Sequence, residues 1–161
     1  MSEVSWLERG VPCSGTAVAI SRRSNPMEVL QWVRVGHQGR GPHRLACAAR
    51  DRALEDGLPL VTTDFVADET LTLLRLRLGV SPAEVWWQQV DRSARLRWER
   101  ITVERFERAR GLFFKYRDKA FSFTDCTSFA VMQELRLTRA LTTDRHFKQM
   151  AFQVVPGPAK R

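Results

Sequence analysis

The clearest alternation of apolar and polar positions begins at the run Leu58–Thr63. This run is mostly apolar, contains β-branched residues and is followed at once by acidic residues, so it predicts a buried strand that leads into a helix. Asp64 is the expected N-cap of that helix, whose apolar residues recur at helical spacing until Gly79 ends the run. Ser81 and Pro82 indicate a second helix start, because serine caps well and proline suits the first helical position.

The same alternation of strand and helix patterns continues towards the C-terminus. The predicted strands cover Ala94–Thr102, Arg139–Thr143 and Phe152–Val155, and the predicted helices cover Val103–Tyr116, Phe123–Leu135 and Asp144–Met150. Short connections between alternating strands and helices favour a parallel sheet that is covered on both faces. The sequence therefore predicts an α/β protein, a three-layer α/β/α domain with a mainly parallel central sheet.

The N-terminal part of the chain is harder to assign. Two apolar stretches, Thr16–Ile20 and Val29–Val35, each have the composition of a central first strand. A polar, loop-like segment over residues 21–26 separates them, and a stretch rich in glycine and arginine follows at residues 36–41. An amphipathic helical pattern then runs from His43 to Glu55. Either apolar stretch could be the first strand.

Charge adds a functional constraint to this picture. The chain has 161 residues, of which 43% are hydrophobic and 27% charged, which fits one folded domain. The formal net charge of +8 favours an anionic partner, and nucleic acid is the commonest candidate. Arginines that only solvate helix faces would give the same charge, so the charge by itself does not decide between these interpretations.

Cysteine usage and hydropathy bear on the location of the protein. The three cysteines, Cys13, Cys47 and Cys126, form neither a Cys-x-x-Cys pair nor an even set, which indicates free thiols. No apolar run approaches the roughly 20 residues that cross a bilayer. The N-terminus also lacks the layout of a secretory signal. We therefore expect a cytoplasmic protein.

Three acidic residues follow predicted strands or lie on the helices that leave them: Glu69, Asp125 and Asp144. Because the carboxyl ends of parallel strands meet at one edge of a sheet, these carboxylates could converge. Clustered carboxylates repel each other unless protons or a cation compensate, and hard oxygen ligands of this kind imply Mg²⁺ or Mn²⁺. Such an ion activates water for phosphodiester hydrolysis, and the positive charge of the protein would attract a polyanionic substrate.

A family resemblance is carried by the same residues. The run FSFTDCTSFAVMQELRLTRALTTDRHFKQMAFQVVP, from Phe121 to Pro156, resembles the C-terminal half of a PIN domain of the VapC toxin type. In that family one Asp opens a helix after a Ser/Thr-rich turn and another follows a strand before a short helix; Asp125 and Asp144 stand at these positions. Upstream, LVTTDFVADETLTLLRLRLG resembles the second strand and the following helix, whose acidic residue falls on Glu69.

The resemblance implies a Mg²⁺-dependent endoribonuclease, the toxin of a type II toxin–antitoxin pair, with Mn²⁺ as the alternative ion for the same oxygen ligands. Glu69, Asp125 and Asp144 are then the expected catalytic and metal-binding residues, and RNA is the expected substrate. The implied protein partners are a cognate antitoxin and, in a homodimer, a second copy of the chain. Neighbours of these acids are further candidates for contact with substrate or support of the ligands: Thr127, Ser128, Arg145 and His146.

The N-terminal residues depart from the family pattern. Family members begin with a hydrophobic strand that ends in Asp followed by Thr or Ser, and that Asp is a principal metal ligand. Here the candidate strand VLQWVRV runs into the glycine-rich stretch. The acids that precede Asp51 are Glu3, Glu8 and Glu28, and none of them matches the motif.

This departure divides the chain into an atypical segment at residues 1–42, a PIN-like domain at residues 43–156 and a loose tail at residues 157–161. Two explanations stay open for the first segment. It is either a degenerate first strand in a catalytically inactive PIN domain that binds RNA or antitoxin, or the product of a frame or start error. A small flavodoxin-like regulator with a phosphoacceptor pocket is a third hypothesis, although the paired acids and the late lysine it requires are not apparent.

Simpler structural roles exist for the same residues. Asp125 and Asp144 suit helix N-caps, and an acid at a strand end can cap a helix and bind metal at once. Asp64 and Asp68 have the same physical claim as Glu69, which only the motif selects. A lone histidine in a short helix more often packs than reacts. Serine and threonine within helices often bond only to the preceding turn.

Overall fold

The computed structural model describes residues 28–30, 48–49, 52–53, 55–142 and 144–155. The hypotheses on the stretch Thr16–Ile20, on the glycine-rich segment, on Cys13 and Cys47 and on the C-terminal tail lie outside these residues. Within this part of the chain no helix has the length and hydropathy to cross a membrane.

The described residues form five strands and five helices, in the order β1-β2-α1-α2-β3-α3-α4-β4-α5-β5. The strands are β1 (Glu28–Leu30), β2 (Leu60–Thr63), β3 (Leu96–Glu99), β4 (Arg139–Leu141) and β5 (Gln153–Val155). The helices are α1 (Asp64–Leu78), α2 (Val80–Asp91), α3 (Val103–Lys115), α4 (Phe123–Glu134) and α5 (His146–Gln149). Further helical residues, Ala48, Ala49, Arg52, Ala53 and Glu55, precede β2. The elements predicted from Leu58 to Val155 are confirmed, with slightly different bounds.

The strands pair in the order β3-β2-β1-β4-β5, and every pair is parallel. Neighbouring residues of one strand face opposite sides of the sheet, so apolar clusters form on both faces. Val61 and Ala140 pack with α3, α4 and α5 on one side. Leu60 and Leu141 pack with the helical residues before β2 on the other side, and Trp98 packs there against α1 and α2. This is the predicted three-layer α/β/α arrangement.

Strand β1 occupies the centre of the sheet, between β2 and β4. It lies at the start of the second apolar stretch considered for the first strand. Glu28 pairs with Leu60 at the amino end of β2, so Glu28 lies at the edge of the sheet opposite to Asp144. Residues 31–50, which follow β1, contain neither aspartate nor glutamate. The sequence therefore supplies no acid directly after this central strand.

Two predicted helix caps are wrong by one or two residues. The Thr63 hydroxyl, and not the Asp64 carboxylate, accepts a hydrogen bond from the Val66 N–H and caps α1. Asp64 is the first helical residue, and its Oδ1 accepts from the Ile101 N–H at 3.1 Å. Gly79 both ends α1 and begins α2, with a φ of 93° that glycine adopts without steric cost. Ser81 therefore lies inside α2.

A buried network of charges fixes α3 and α4 over the edge of the sheet. Arg105 of α3 lies 2.8 Å from Glu99 at the end of β3 and 2.8 Å from Glu134 of α4. Its Nη1 also donates to the Arg100 carbonyl at 2.6 Å. Arg105 and Glu99 are both buried, and each has a further partner that is more exposed, Glu134 for Arg105 and Arg97 for Glu99.

Candidate metal centre

Asp125 is brought to the site by the first turn of α4. The Ser122 hydroxyl caps the helix by accepting from the Asp125 N–H at 3.0 Å, and Asp125 Oδ2 accepts from the Ser122 N–H at 2.8 Å. This reciprocal capping box fixes the aspartate at the third helical position. Only 5% of Asp125 is exposed, so its carboxylate is held in a poorly hydrated place.

Asp144 and His146 reach the same place from the carboxyl end of β4. Asp144 Oδ1 accepts a hydrogen bond from the His146 N–H at 2.8 Å, which tethers the carboxylate to the start of α5. The Asp144 N–H in turn donates to the Thr142 hydroxyl at 2.9 Å. The loop between β4 and α5 therefore holds Asp144 through its backbone as well as its side chain.

The three side chains converge. His146 Nδ1 lies 3.2 Å from Asp144 Oδ1 and 3.6 Å from Asp125 Oδ2. One potential ligand atom from each residue falls within 4.8 Å of the other two. Among the residues that the structure describes, this is the group of acids, histidines and cysteines whose spacing suits a metal ion.

The electrostatics of the site favour a cation. Burial raises the pKa of Asp125, the Ser122 backbone N–H opposes this shift, and repulsion from Asp144 adds to it. A buried carboxylate that repels its neighbour gains most from a positive ion placed between the two. The donor set, two carboxylates and an imidazole, fits a divalent cation.

Glu69 is not a member of this group. It lies on α1, which leaves the carboxyl end of β2, and its side chain is half-buried with one carboxylate oxygen inaccessible to solvent. The structure thus brings together two of the three acids expected from the sequence. The role of Glu69 stays a prediction.

The other candidates occupy different environments. Thr127 is buried and its hydroxyl donates to the Thr124 carbonyl at 2.8 Å, so it bonds to the preceding turn. Ser128 is buried, and its Oγ has no hydrogen-bond partner among the described residues. Arg145 is exposed beside the site. Asp64 is engaged by the backbone of Ile101 and lies 3.9 Å from Arg100.

Sequence reasoning missed two features of the site. The capping box of Ser122 and Asp125 has a recognisable signal, a serine followed three residues later by an acid before an apolar run. The proximity of His146 to both acids has no such signal, because it depends on how α4 and α5 meet. Its position two residues after Asp144 indicated only that the two are neighbours.

Comparisons with known proteins agree with this architecture. A family model described as "PIN domain" matches residues 40–153. Two similar proteins are both named "23S rRNA-specific endonuclease VapC20" and come from Mycobacterium tuberculosis strains CDC 1551 / Oshkosh and ATCC 25618 / H37Rv. Each is 31% identical to this chain over 122 residues, which cover 75% of this chain and 89% of the relative. A crystal structure of the M. tuberculosis VapC20, described as a "Sarcin-Ricin loop cleaving toxin", is similar with a TM-score of 0.60 and 29% identity, over 73% of this chain and 88% of that one.

The match to the family model spans most of the sheet and the site, from before β2 to the start of β5. The similar structure has the α/β fold that the alternation of strands and helices predicts. Both the resemblance and the fold class inferred from the sequence are confirmed. The chain belongs to the PIN-domain family, as a protein of the VapC type.

Proposed function

We propose that this protein is a metal-dependent endoribonuclease that hydrolyses RNA phosphodiester bonds, and that it is the toxin of a toxin–antitoxin pair. The convergence of Asp125 and Asp144 at the carboxyl edge of a PIN-type sheet is the observation that carries the proposal. The relative named as a 23S rRNA-specific endonuclease supports RNA as the substrate class. An RNA substrate also supports action in the cytoplasm.

In this proposal Asp125 and Asp144 hold the cation, with Glu69 as a further carboxylate and Mg²⁺ (or Mn²⁺) as the ion. A bound ion of this kind would lower the pKa of water and stabilise charge on the phosphate oxygens. The net charge of +8 attracts the polyanion, and exposed Arg145 is a candidate phosphate contact beside the acids.

The test is cleavage of a labelled RNA hairpin with the sarcin–ricin loop sequence, in Mg²⁺, in Mn²⁺ and in a chelator. We expect cleavage only with metal, and a rate at least about a hundredfold lower for Asp125→Asn, since a lost ligand removes several kcal/mol of transition-state stabilisation. Asp91→Asn, an exposed acid at the end of α2, is the matched control. Equal rates for Asp125→Asn and the unmodified chain would contradict the proposal.

The role of Glu69 needs its own comparison. Asp68 is its exposed neighbour on the same helix, so Glu69→Gln and Asp68→Asn remove one charge each from adjacent positions. If Glu69 acts with the other two acids, Glu69→Gln slows cleavage while Asp68→Asn does not. Equal cleavage rates of the two variants would show that Glu69 is not part of the site.

A catalytically inactive binding module is the second candidate. It is favoured by one observation, the lack of any acid between Glu28 and Asp51, which leaves the carboxyl end of β1 without the family's aspartate. Such a module would retain RNA in a gel-shift assay with chelator and cleave none in Mg²⁺ or Mn²⁺. If cleavage occurs only in a version whose first strand is restored from the upstream gene sequence, a frame or start error is favoured instead.

A homodimer is part of the proposal, and α3 offers a surface for it. Its exposed apolar residues fall on one face of the helix. They are Val103, Phe106, Phe113 and Phe114. The exposed acids of α3 are Glu104 and Glu107, and its exposed basic residues are Arg108, Arg110 and Lys115. Two copies that pair antiparallel along α3 would bury the four apolar side chains against each other in an isologous interface.

The dimer is tested by light scattering of the full chain after size-exclusion chromatography. We expect Phe114→Asp to give a monomer, because the charge would be buried in the interface. Leu76→Asp is the control, since Leu76 is an equally apolar, exposed residue on α1. The cognate antitoxin would occupy a different apolar surface, and the exposed residues Val80 and Trp87 of α2 are candidates for that contact.

A further inference from the structure

The group that converges among the described residues contains a nitrogen donor beside its carboxylates. Ligands of a parallel sheet bind beyond the carboxyl ends of its strands, yet in the sequence no acid follows the central strand β1 before Asp51. The described group contains two carboxylates, Asp125 and Asp144, and its third member is the imidazole of His146. The composition of the site is therefore mixed oxygen and nitrogen.

The imidazole is placed as a ligand would be. Adjacent ligands of an octahedral ion with bonds of about 2.1 to 2.2 Å lie about 3 Å apart. His146 Nδ1 is 3.2 Å from Asp144 Oδ1 and 3.6 Å from Asp125 Oδ2, close to that separation on both sides. Neither contact has hydrogen-bond geometry, so the buried Nδ1 has no hydrogen-bond partner among the described residues.

The surroundings of the ring hold it in this orientation. His146 is the first residue of α5, and its backbone N–H is bonded to the Asp144 carboxylate. The edge of the ring meets Phe121, with centroids 5.4 Å apart and planes at 73°. Phe121 is itself buried against Phe129 in the core, so the ring rests on a rigid support.

We infer that His146 is a third ligand of the divalent cation at this site, and that its nitrogen shifts the preference of the site from Mg²⁺ towards Mn²⁺. The inference rests on the proposed function, because it concerns the cation of the same site. Mg²⁺ is a hard ion that binds oxygen and dehydrates reluctantly. Mn²⁺ is a transition-metal ion that is less hard than Mg²⁺ and accepts an imidazole ligand more readily, although it binds nitrogen more weakly than the later first-row metals do.

A competing explanation is that protonated His146 is an internal counter-ion for the two aspartates. The two explanations make opposite predictions for His146→Ala. Loss of a ligand weakens metal binding, whereas loss of a competing positive charge strengthens it. His146→Asp provides a second variant, since it restores an all-oxygen set of donors and would favour Mg²⁺.

The experiment is calorimetric titration of the full chain with Mn²⁺ and with Mg²⁺. We expect the unmodified chain to bind Mn²⁺ more tightly than Mg²⁺. In His146→Ala the affinity for Mn²⁺ should be lower by about tenfold or more. In His146→Asp the ratio of Mn²⁺ affinity to Mg²⁺ affinity should fall. Electron spin echo spectroscopy of the Mn²⁺ complex should show a coupled nitrogen in the unmodified chain and none in His146→Ala. Unchanged or tighter Mn²⁺ binding by His146→Ala, or no coupled nitrogen, would overturn the inference.

Asp125→Asn separates this outcome from failure of the proposed function. If Asp125→Asn loses both ions while His146→Ala keeps Mn²⁺, the centre exists and only the role of His146 is wrong. If the unmodified chain and Asp125→Asn bind both ions equally, there is no metal centre here, and the inference and the proposed function are both overturned. Circular dichroism of each variant establishes that it is folded.

Discussion

Ser122 and Asp125 exchange hydrogen bonds across the first turn of α4, from the Asp125 N–H to the Ser122 hydroxyl at 3.0 Å and from the Ser122 N–H to Asp125 Oδ2 at 2.8 Å. The same aspartate faces Asp144 and His146. The Asp125 carboxylate thus takes part in capping a helix and also contributes to the candidate metal centre. Stability and site geometry are coupled at this residue.

Ser122→Ala should lower the free energy of unfolding by about 1 kcal/mol, the usual cost of losing a helix cap. The substitution also frees the Asp125 N–H, and the aspartate should become less well positioned. Urea denaturation measures the first effect and Mn²⁺ affinity the second. Ser81→Ala is the control, because Ser81 lies within α2 and does not cap it. Similar losses for the two variants would contradict this account of the cap.

Asp125→Asn should raise the melting temperature of the metal-free protein at neutral pH. Burial and the nearby Asp144 carboxylate raise the pKa of Asp125, so its ionised form destabilises the folded state. The asparagine oxygen keeps the acceptor for the Ser122 N–H, so the cap is retained.

The pH dependence follows from the direction of that pKa shift. The folded state holds the Asp125 proton more tightly than the unfolded state, so the penalty of ionisation is full above the raised pKa. As the pH falls through that pKa towards the ordinary value of 3.8, the penalty disappears. The gain from Asp125→Asn should therefore shrink on acidification. Melting curves of both proteins in chelator, from neutral to acidic pH, measure this, and a gain that is independent of pH would contradict it.

Arg105→Met should be strongly destabilising. It removes the buried partner of Glu99, which keeps the exposed Arg97, and it removes the link from α3 to Glu134 of α4. Breaking a buried ion pair costs about 3 kcal/mol or more. Arg108→Met is the matched control, since Arg108 contacts the same Glu134 from an exposed position and should cost less than about 1 kcal/mol. Denaturation midpoints compare the two, and equal losses would show that burial of the network is unimportant.

Cys126 should be unreactive in the folded protein. Burial, with a contribution from Asp125, raises the pKa of its thiol to about 11, and the side chain is fully inaccessible. In a chain with Cys13→Ser and Cys47→Ser, a thiol reagent at pH 8 should react only after denaturant is added. Rapid modification of the folded protein would show that the first turns of α4 open readily.

Much of this protein was predictable because the signals are local. The strands β2 to β5 and the helices between them follow from the spacing of apolar residues, and parallel pairing follows from their alternation. Asp125 and Asp144 were recognisable as candidates from the sequence because Asp125 lies at the start of a predicted helix and Asp144 lies between a predicted strand and a helix. The exact caps were less predictable: the Thr63 hydroxyl caps α1, and the Asp64 carboxylate accepts from the Ile101 N–H, which is far away in sequence.

The sequence by itself determined the order of elements, the family and the residue types able to bind a metal. Only the tertiary structure decided which of those residues meet. Asp125 lies on α4 and His146 on α5, and their approach depends on how two helices pack beside β4. Glu69, selected by motif, lies outside the group, whereas His146, which no motif selected, lies within it. The physical reason is that spacing along the chain sets the direction of a side chain within its element, whereas distances between elements are set by packing.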